Sequence, residues 1–315
     1  MFILLFSIFA ISVITIGIAY IPENESVPRL KARHNTEYWQ LERGFQIAYS
    51  KYSPESSENR HPIIFLHGGP GAYVHSSTME TISALANLGH EIYFYDQLGS
   101  GLSERPPNFR DASLPNHLKD LNEIVTKHIG AEKVILIGHS FGASVASHFL
   151  AGYPHLVSKI VFSSPGRLVP IMYTEEGIPE RANTEIPNDL NFITPWRYQE
   201  ESDRIFFKPK TFLAMAGALG FDSKLINDSD VDALLNKVFS TVTKGMVCDP
   251  NSVRPEEGGG GMYAYMSTNY NPDLQNIRPI LKQLKVPSII LQGQCDTGHY
   301  GGVIEYSELL REISN

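Results

Sequence analysis

Five residues, Gly138-His139-Ser140-Phe141-Gly142, constrain this chain more than any other stretch. Before them runs Lys133-Val134-Ile135-Leu136-Ile137, an apolar β-branched string suited to a buried parallel strand. After them runs Ala143-Ser144-Val145-Ala146-Ser147-His148-Phe149-Leu150, rich in alanine with apolar residues at helical spacing. A G-x-S-x-G run between a strand and a helix predicts a sharp elbow that lifts a serine hydroxyl clear of a sheet. The glycines permit the turn, and the helix N-terminus behind it favours developing negative charge. Ser140 is therefore the candidate nucleophile. Its neighbour Phe141 is the candidate for one backbone N–H of an oxyanion hole.

The elbow sits within a longer alternation of strands and helices. Residues 37–41 and 45–49 flank Arg43-Gly44 and predict a hairpin. Short strands are expected at 62–66, 91–96 and 159–163, and helices at 76–88 and 114–129. Such alternation implies right-handed crossovers, a mostly parallel sheet and ligands at the C-terminal strand ends. The first strand runs into His67-Gly68-Gly69-Pro70-Gly71, where the Gly69 N–H is the candidate second oxyanion donor. His67 precedes the nucleophile in the chain, so we read it as a support for this loop and not as a base. His139 is read as packing or hydrogen-bonding within the elbow. Beyond Arg167 the alternation stops. Residues 206–219 and 231–242 predict helices of an inserted cap, with a glycine run at 258–261. A strand at 286–293 then leads to Gln294-Cys295-Asp296.

Bulk properties narrow the function classes. A formal net charge of −8 and the lack of any basic run argue against a nucleic-acid partner. Cys248 and Cys295 form no C-x-x-C pattern or Cys/His cluster, so neither a metal nor any other cofactor has motif support. We expect two free thiols, although export would permit a disulfide. Residues 1–22 carry no charged side chain. They fit a secretory signal peptide with Gly17-Ile18-Ala19 as cleavage site, or a membrane anchor followed by Arg29, Lys31 and Arg33, with a buried core helix as a third reading. The chain is thus expected to be exported or membrane-anchored. Its organisation reads as 1–22 apolar segment, 35–166 first part of an α/β core, 167–271 helical cap and 272–315 second part of the core.

His67-Gly68-Gly69-Pro70-Gly71-Ala72, Asp96-Gln97-Leu98-Gly99-Ser100-Gly101-Leu102-Ser103 and the elbow, in this order and spacing, resemble the alpha/beta-hydrolase fold family. More narrowly they resemble its proline iminopeptidase branch, most strongly over residues 60–165 and 280–297. The resemblance implies a mostly parallel sheet with helices on both faces and a cap. It also implies a catalytic order of serine, acid and histidine, in which Asp296 occupies the acid's position. The family's histidine follows one further strand, and this sequence offers no histidine beyond His299. His299 stands only three residues after Asp296 on the same loop, a spacing that disfavours it as base. We therefore expect that the C-terminal strand and its histidine are missing, as in a fragment, a truncated gene model or an inactive copy.

The resemblance further implies a small-molecule or short-peptide substrate whose amino terminus is held by cap carboxylates. Glu175, Glu176, Glu180, Glu185, Glu200 and Glu201 are the candidates. Phe141 stands where the branch often has tryptophan, and Trp196 is the only tryptophan of the cap. Aminopeptidase activity is thus one expectation. Carboxylesterase or lipase-type activity, and a non-catalytic hydrolase-fold protein, are the alternatives.

Overall fold

A computed structural model describes residues 13–14, 16–21, 27–33, 35–55, 60–171, 203–269 and 274–314. Seven strands form one sheet in the order β1-β2-β4-β3-β5-β6-β7. They are β1 Thr36–Gln40, β2 Gln46–Tyr52, β3 Ile63–Leu66, β4 Ile92–Tyr95, β5 Val134–Ser140, β6 Val157–Pro165 and β7 Ser288–Leu291. The first two make the expected hairpin and β2 pairs antiparallel with β4, while β4, β3, β5, β6 and β7 run parallel.

Strand parity divides the core. Ile64, Leu66, Tyr93, Tyr95, Val134 and Leu136 face one apolar cluster, which also takes Trp39. Ile63, Phe65, Ile92, Phe94 and Ile137 face another. With side chains alternating between faces, both faces of these strands must be apolar, so the strands read as unbroken hydrophobic runs. Helix α1 (Ser76–Ile82) covers the second face through Met79. The first face is covered by α2 (Leu114–Glu123) and α3 (Phe141–Gly152), through Leu114, Leu121 and Phe149. Predicted helix 76–88 ends as a 3-10 turn over Ser83–Leu88, and predicted helix 114–129 widens to π geometry over Ile124–Ile129.

A third apolar cluster belongs to the cap, built by α4 (Pro209–Phe221), α5 (Asp228–Val242) and α6 (Met262–Asn269). Ala214, Ala218, Val231, Leu234, Leu235 and Met262 form its centre. After the short α7 (Arg278–Leu281), the chain enters β7 and finishes in α8 (Tyr300–Ser314), whose Tyr306 packs on Phe162 with ring centroids 4.6 Å apart. Among the described residues, no helix is long and apolar enough to cross a membrane.

The glycine run, read from sequence only as a break between helices, is where cap and core meet. The Gly261 N–H donates to Gly71 O at 2.8 Å, and the Gly101 N–H donates to Gly259 O at 2.6 Å. A Cβ on Gly261 would stand 1.9 Å from Gly99 O, a distance that only glycine's lack of a side chain permits. Arg105 reinforces the seam, its Nε donating to Asp232 Oδ2 at 3.0 Å and its Nη2 to Gly260 O at 3.2 Å. Because this clash is with backbone, Gly261→Ala should destabilise the protein by about 1–3 kcal/mol. A urea-denaturation midpoint measured against the parent checks it, and an unchanged midpoint would show that the seam is looser than described.

Candidate active site

Pairing of Leu66 with Gly138 sets the end of β3 beside the end of β5. The loop after β3 therefore runs past the elbow as a consequence of sheet register. A Cβ on Gly68 would lie 2.8 Å from Ser140 Cβ, which measures how closely the two turns approach. At the elbow, Ser140 has φ 52° and ψ −118°, a backbone conformation rarely taken by a residue with a side chain. A Cβ on Gly142 would meet Leu66 O at 2.1 Å, and one on Gly138 would meet Gly142 O at 2.5 Å. Serine is a favoured helix cap, yet the Ser140 hydroxyl makes no cap bond to α3.

That hydroxyl instead meets His299. The distance from Ser140 Oγ to His299 Nε2 is 2.8 Å, and His299 Nδ1 lies 2.9 Å from both oxygens of Asp296. The expectation that His299 stands too near Asp296 in the chain is corrected here. Thr297–His299 form a 3-10 turn. With three residues per turn, side chains at i and i+3 fall on the same side, so Asp296 and His299 face each other within one short loop. Both are buried. Helical pattern reasoning looks for spacings of three and four, and the turn signal Asp-Thr-Gly-His was the clue available for this pair.

The two cysteines are joined, against the expectation of free thiols. Cys248 and Cys295 form a disulfide with Cα atoms 5.1 Å apart, closing a sequence separation of 47 residues. Cys295 directly precedes Asp296, so the bond ties the loop that carries Asp296 to the segment that follows α5. Gln292 Nε2 adds a bond to the Asp296 carbonyl.

The remaining motif histidines are held in neutral supporting positions. The Gln97 N–H donates to His67 Nε2 at 2.8 Å, which leaves Nδ1 as the protonated nitrogen, 3.0 Å from Gly68 O. Burial lowers the His67 pKa. His139 donates from Nδ1 to Ser163 O at 3.1 Å; burial, followed by the neighbouring His299, pushes it down to about 4. Asp96 accepts from the N–H groups of Val74 (2.8 Å) and Leu102 (2.9 Å), joining the loop after β3 to the glycine turn after β4. Phe141 is the first residue of α3, so its N–H belongs to a first turn that has no intrahelical acceptor. Gly69 lies in the loop beside Ser140 with φ 116°.

Above Ser140 opens a cleft of about 630 Å³. Its floor includes Gly68, Gly69, Ser140 and His299, and α5 contributes Leu235, Val238, Phe239 and Val242 to its wall. Glu256, which sequence reasoning passed over, is the one carboxylate lining it among the described residues. Tyr73 Oη donates to Glu256 Oε1, and burial raises the carboxyl's pKa. Glu175, Glu176, Glu180, Glu185, Trp196, Glu200 and Glu201 lie outside the described residues.

Comparison with known proteins agrees with this architecture. A model of the alpha/beta hydrolase fold family matches residues 61–205. A proline iminopeptidase of Saccharolobus solfataricus is 31% identical over 148 residues, covering 45% of this chain and 46% of that protein. One from Heyndrickxia coagulans is 30% identical over 147 residues, covering 47% and 48%. The chain spans about half the length of the curated relatives it matches. Among solved structures, a probable hydrolytic enzyme of Pseudomonas aeruginosa PAO1 shares the fold, with a TM-score of 0.55 at 17% identity over 92% of this chain and 88% of that one. With sheet order, elbow and family match in agreement, the chain has the alpha/beta-hydrolase fold, and residues 61–205 are similar to that family.

Proposed function

We propose that this chain is a serine hydrolase that removes an N-terminal residue, proline foremost, from short peptides. The observation that carries the reading is the contact series Ser140, His299, Asp296 at 2.8 and 2.9 Å beneath an open cleft. Ser140 Oγ attacks the scissile carbonyl carbon while His299 Nε2 takes its proton. Asp296 stays ionised, fixes the Nδ1–H tautomer and stabilises the imidazolium that forms. The carbonyl oxygen, now negative, accepts hydrogen bonds from the N–H groups of Gly69 and Phe141. His299 returns the proton to the leaving amine as the C–N bond breaks. Water, deprotonated by the same imidazole, then releases the acyl group and restores Ser140.

Support for a peptidase over a plain esterase comes from two sides. The relatives named above are proline iminopeptidases. Glu256 also offers a negative partner in the cleft for a substrate's ammonium group. The apolar character of residues 1–22 supports export or attachment to a membrane.

Ser140→Ala and His299→Ala should each lower turnover by roughly 10⁴- to 10⁶-fold and abolish labelling by a fluorophosphonate probe. Full labelling of His299→Ala would remove His299 from the mechanism. Release of proline from a Pro-naphthylamide, set against cleavage of a short acyl ester, tests the substrate class; ester cleavage alone would make the protein an esterase. Glu256→Gln should raise KM for the Pro-naphthylamide about tenfold or more and leave ester cleavage unchanged, because a charge-assisted hydrogen bond is lost. Thiol reduction, or Cys248→Ser with Cys295→Ser, should lower kcat more than it raises KM, because it frees the loop carrying the acid and base. Equal kcat in both redox states would show that the 3-10 turn holds its place unaided.

A further inference from the structure

Helix α4 is turned inside out. Its two polar side chains beyond the first residue, Lys210 and Thr211, are buried at 3% and 0% exposure, whereas Phe212 is 69% exposed and Phe221 73%. Lys210 Nζ donates to Ile21 O at 2.7 Å and Thr211 Oγ1 to Ile205 O at 3.2 Å, so both polar groups are satisfied inward. On the outward side, positions 212, 216 and 219 follow one another at helical spacing as Phe, Ala and Leu. A helix that is apolar all round needs an apolar environment on every side.

The N-terminal segment extends this face. Ala19 is 1% exposed within the cap's own cluster, beside Ala214 and Ala218, and Tyr20 Oη donates to Leu225 O at 3.1 Å. Around these attachments Ile14, Ile18 and Ile21 point to solvent. One run of chain and one cap helix are thus stitched together and present apolar side chains jointly. A patch of this kind marks an interaction surface. The sequence of residues 1–22, uncharged throughout, continues the same chemistry.

We propose that this joint face of α4 and the N-terminal segment seats the cap on a lipid bilayer, with Phe212, Leu219 and Phe221 inserted among the acyl chains. The occupant is a membrane because the face is apolar on two unrelated stretches of sequence and one of them is an uncharged segment of 22 residues. A net charge of −8 makes attraction to anionic headgroups unfavourable, so insertion and not charge drives the attachment. None of Phe212, Leu219 and Phe221 lines the cleft over Ser140, so the surface is independent of the proposed chemistry.

The full chain, with its N-terminal segment intact, should co-sediment with phosphatidylcholine vesicles. Added phosphatidylglycerol should not strengthen the binding, and raised salt should not release it. Phe212→Ser with Leu219→Ser should weaken partitioning about tenfold or more, half the burial of the two side chains being enough for that loss. Thermal midpoint and cleavage of a soluble ester should stay at parent levels, which separates lost docking from lost folding. In a second readout, Phe212→Trp should gain emission that brominated acyl chains quench. Equal partitioning of the double variant and the parent would overturn the proposal by leaving the N-terminal segment as sole attachment. Release by salt would overturn it as well. So would a concentration-dependent dimer, abolished by the double variant, in protein that ignores vesicles, since a second copy would then be the occupant.

Discussion

The proposed active site depends on how closely two pieces of backbone approach at the elbow. Gly142 lies against the carbonyl of Leu66, and Gly138 against that of Gly142, at separations a single Cβ would forbid. This contact turns β5 directly into α3 and forces Ser140 into positive φ, at a cost of about 1–3 kcal/mol. The surrounding core offsets it. Val134, Leu136, Ala143, Val145 and Phe149 are all fully buried on either side of the turn. The strain has a product: a hydroxyl that caps nothing and is free to face His299.

Among the described residues, contacts of several kinds bind the cap to this core. Glycine backbones meet at Gly71, Gly99, Gly101 and Gly261, where the lack of side chains and two backbone hydrogen bonds set the spacing. Arg105 bridges to Asp232, whose carboxyl is raised to about 6 by burial in spite of its cationic neighbour. A disulfide joins the chain beyond α5 to the residue before Asp296. The cleft wall supplied by α5 and the loop that carries Asp296 are therefore anchored to each other as well as to the sheet. The shape of the cleft and the position of Asp296 are mechanically linked.

Much of the core was legible from residue order. Runs such as Ile63-Ile64-Phe65-Leu66 and Val134-Ile135-Leu136-Ile137 announce strands buried on both faces. The elbow glycines announce their turn, and His67 was read as a loop support, which its bonds to Gly68 and Gln97 bear out. What escaped the reading has a common physical character. His299 reaches Asp296 through a 3-10 turn, a local geometry that hydrophobic periodicity does not register. Cys248 and Cys295 meet across 47 residues of chain, and no spacing rule brings them together. Glu256 enters the cleft because Tyr73 holds it, a contact spanning 183 positions. Lys210 and Thr211 look like the polar face of an ordinary helix until their partners Ile21 and Ile205 are known.

The Asp296–His299 turn has one further consequence. Asp296 and His299 lie on the same four residues, so the separation between them is set by the turn. The contact from His299 to Ser140, at 2.8 Å, joins this turn to the elbow, which belongs to a different part of the chain. A shift of the turn as a unit would change the His299–Ser140 contact, while the imidazole kept its carboxylate partner and its tautomer.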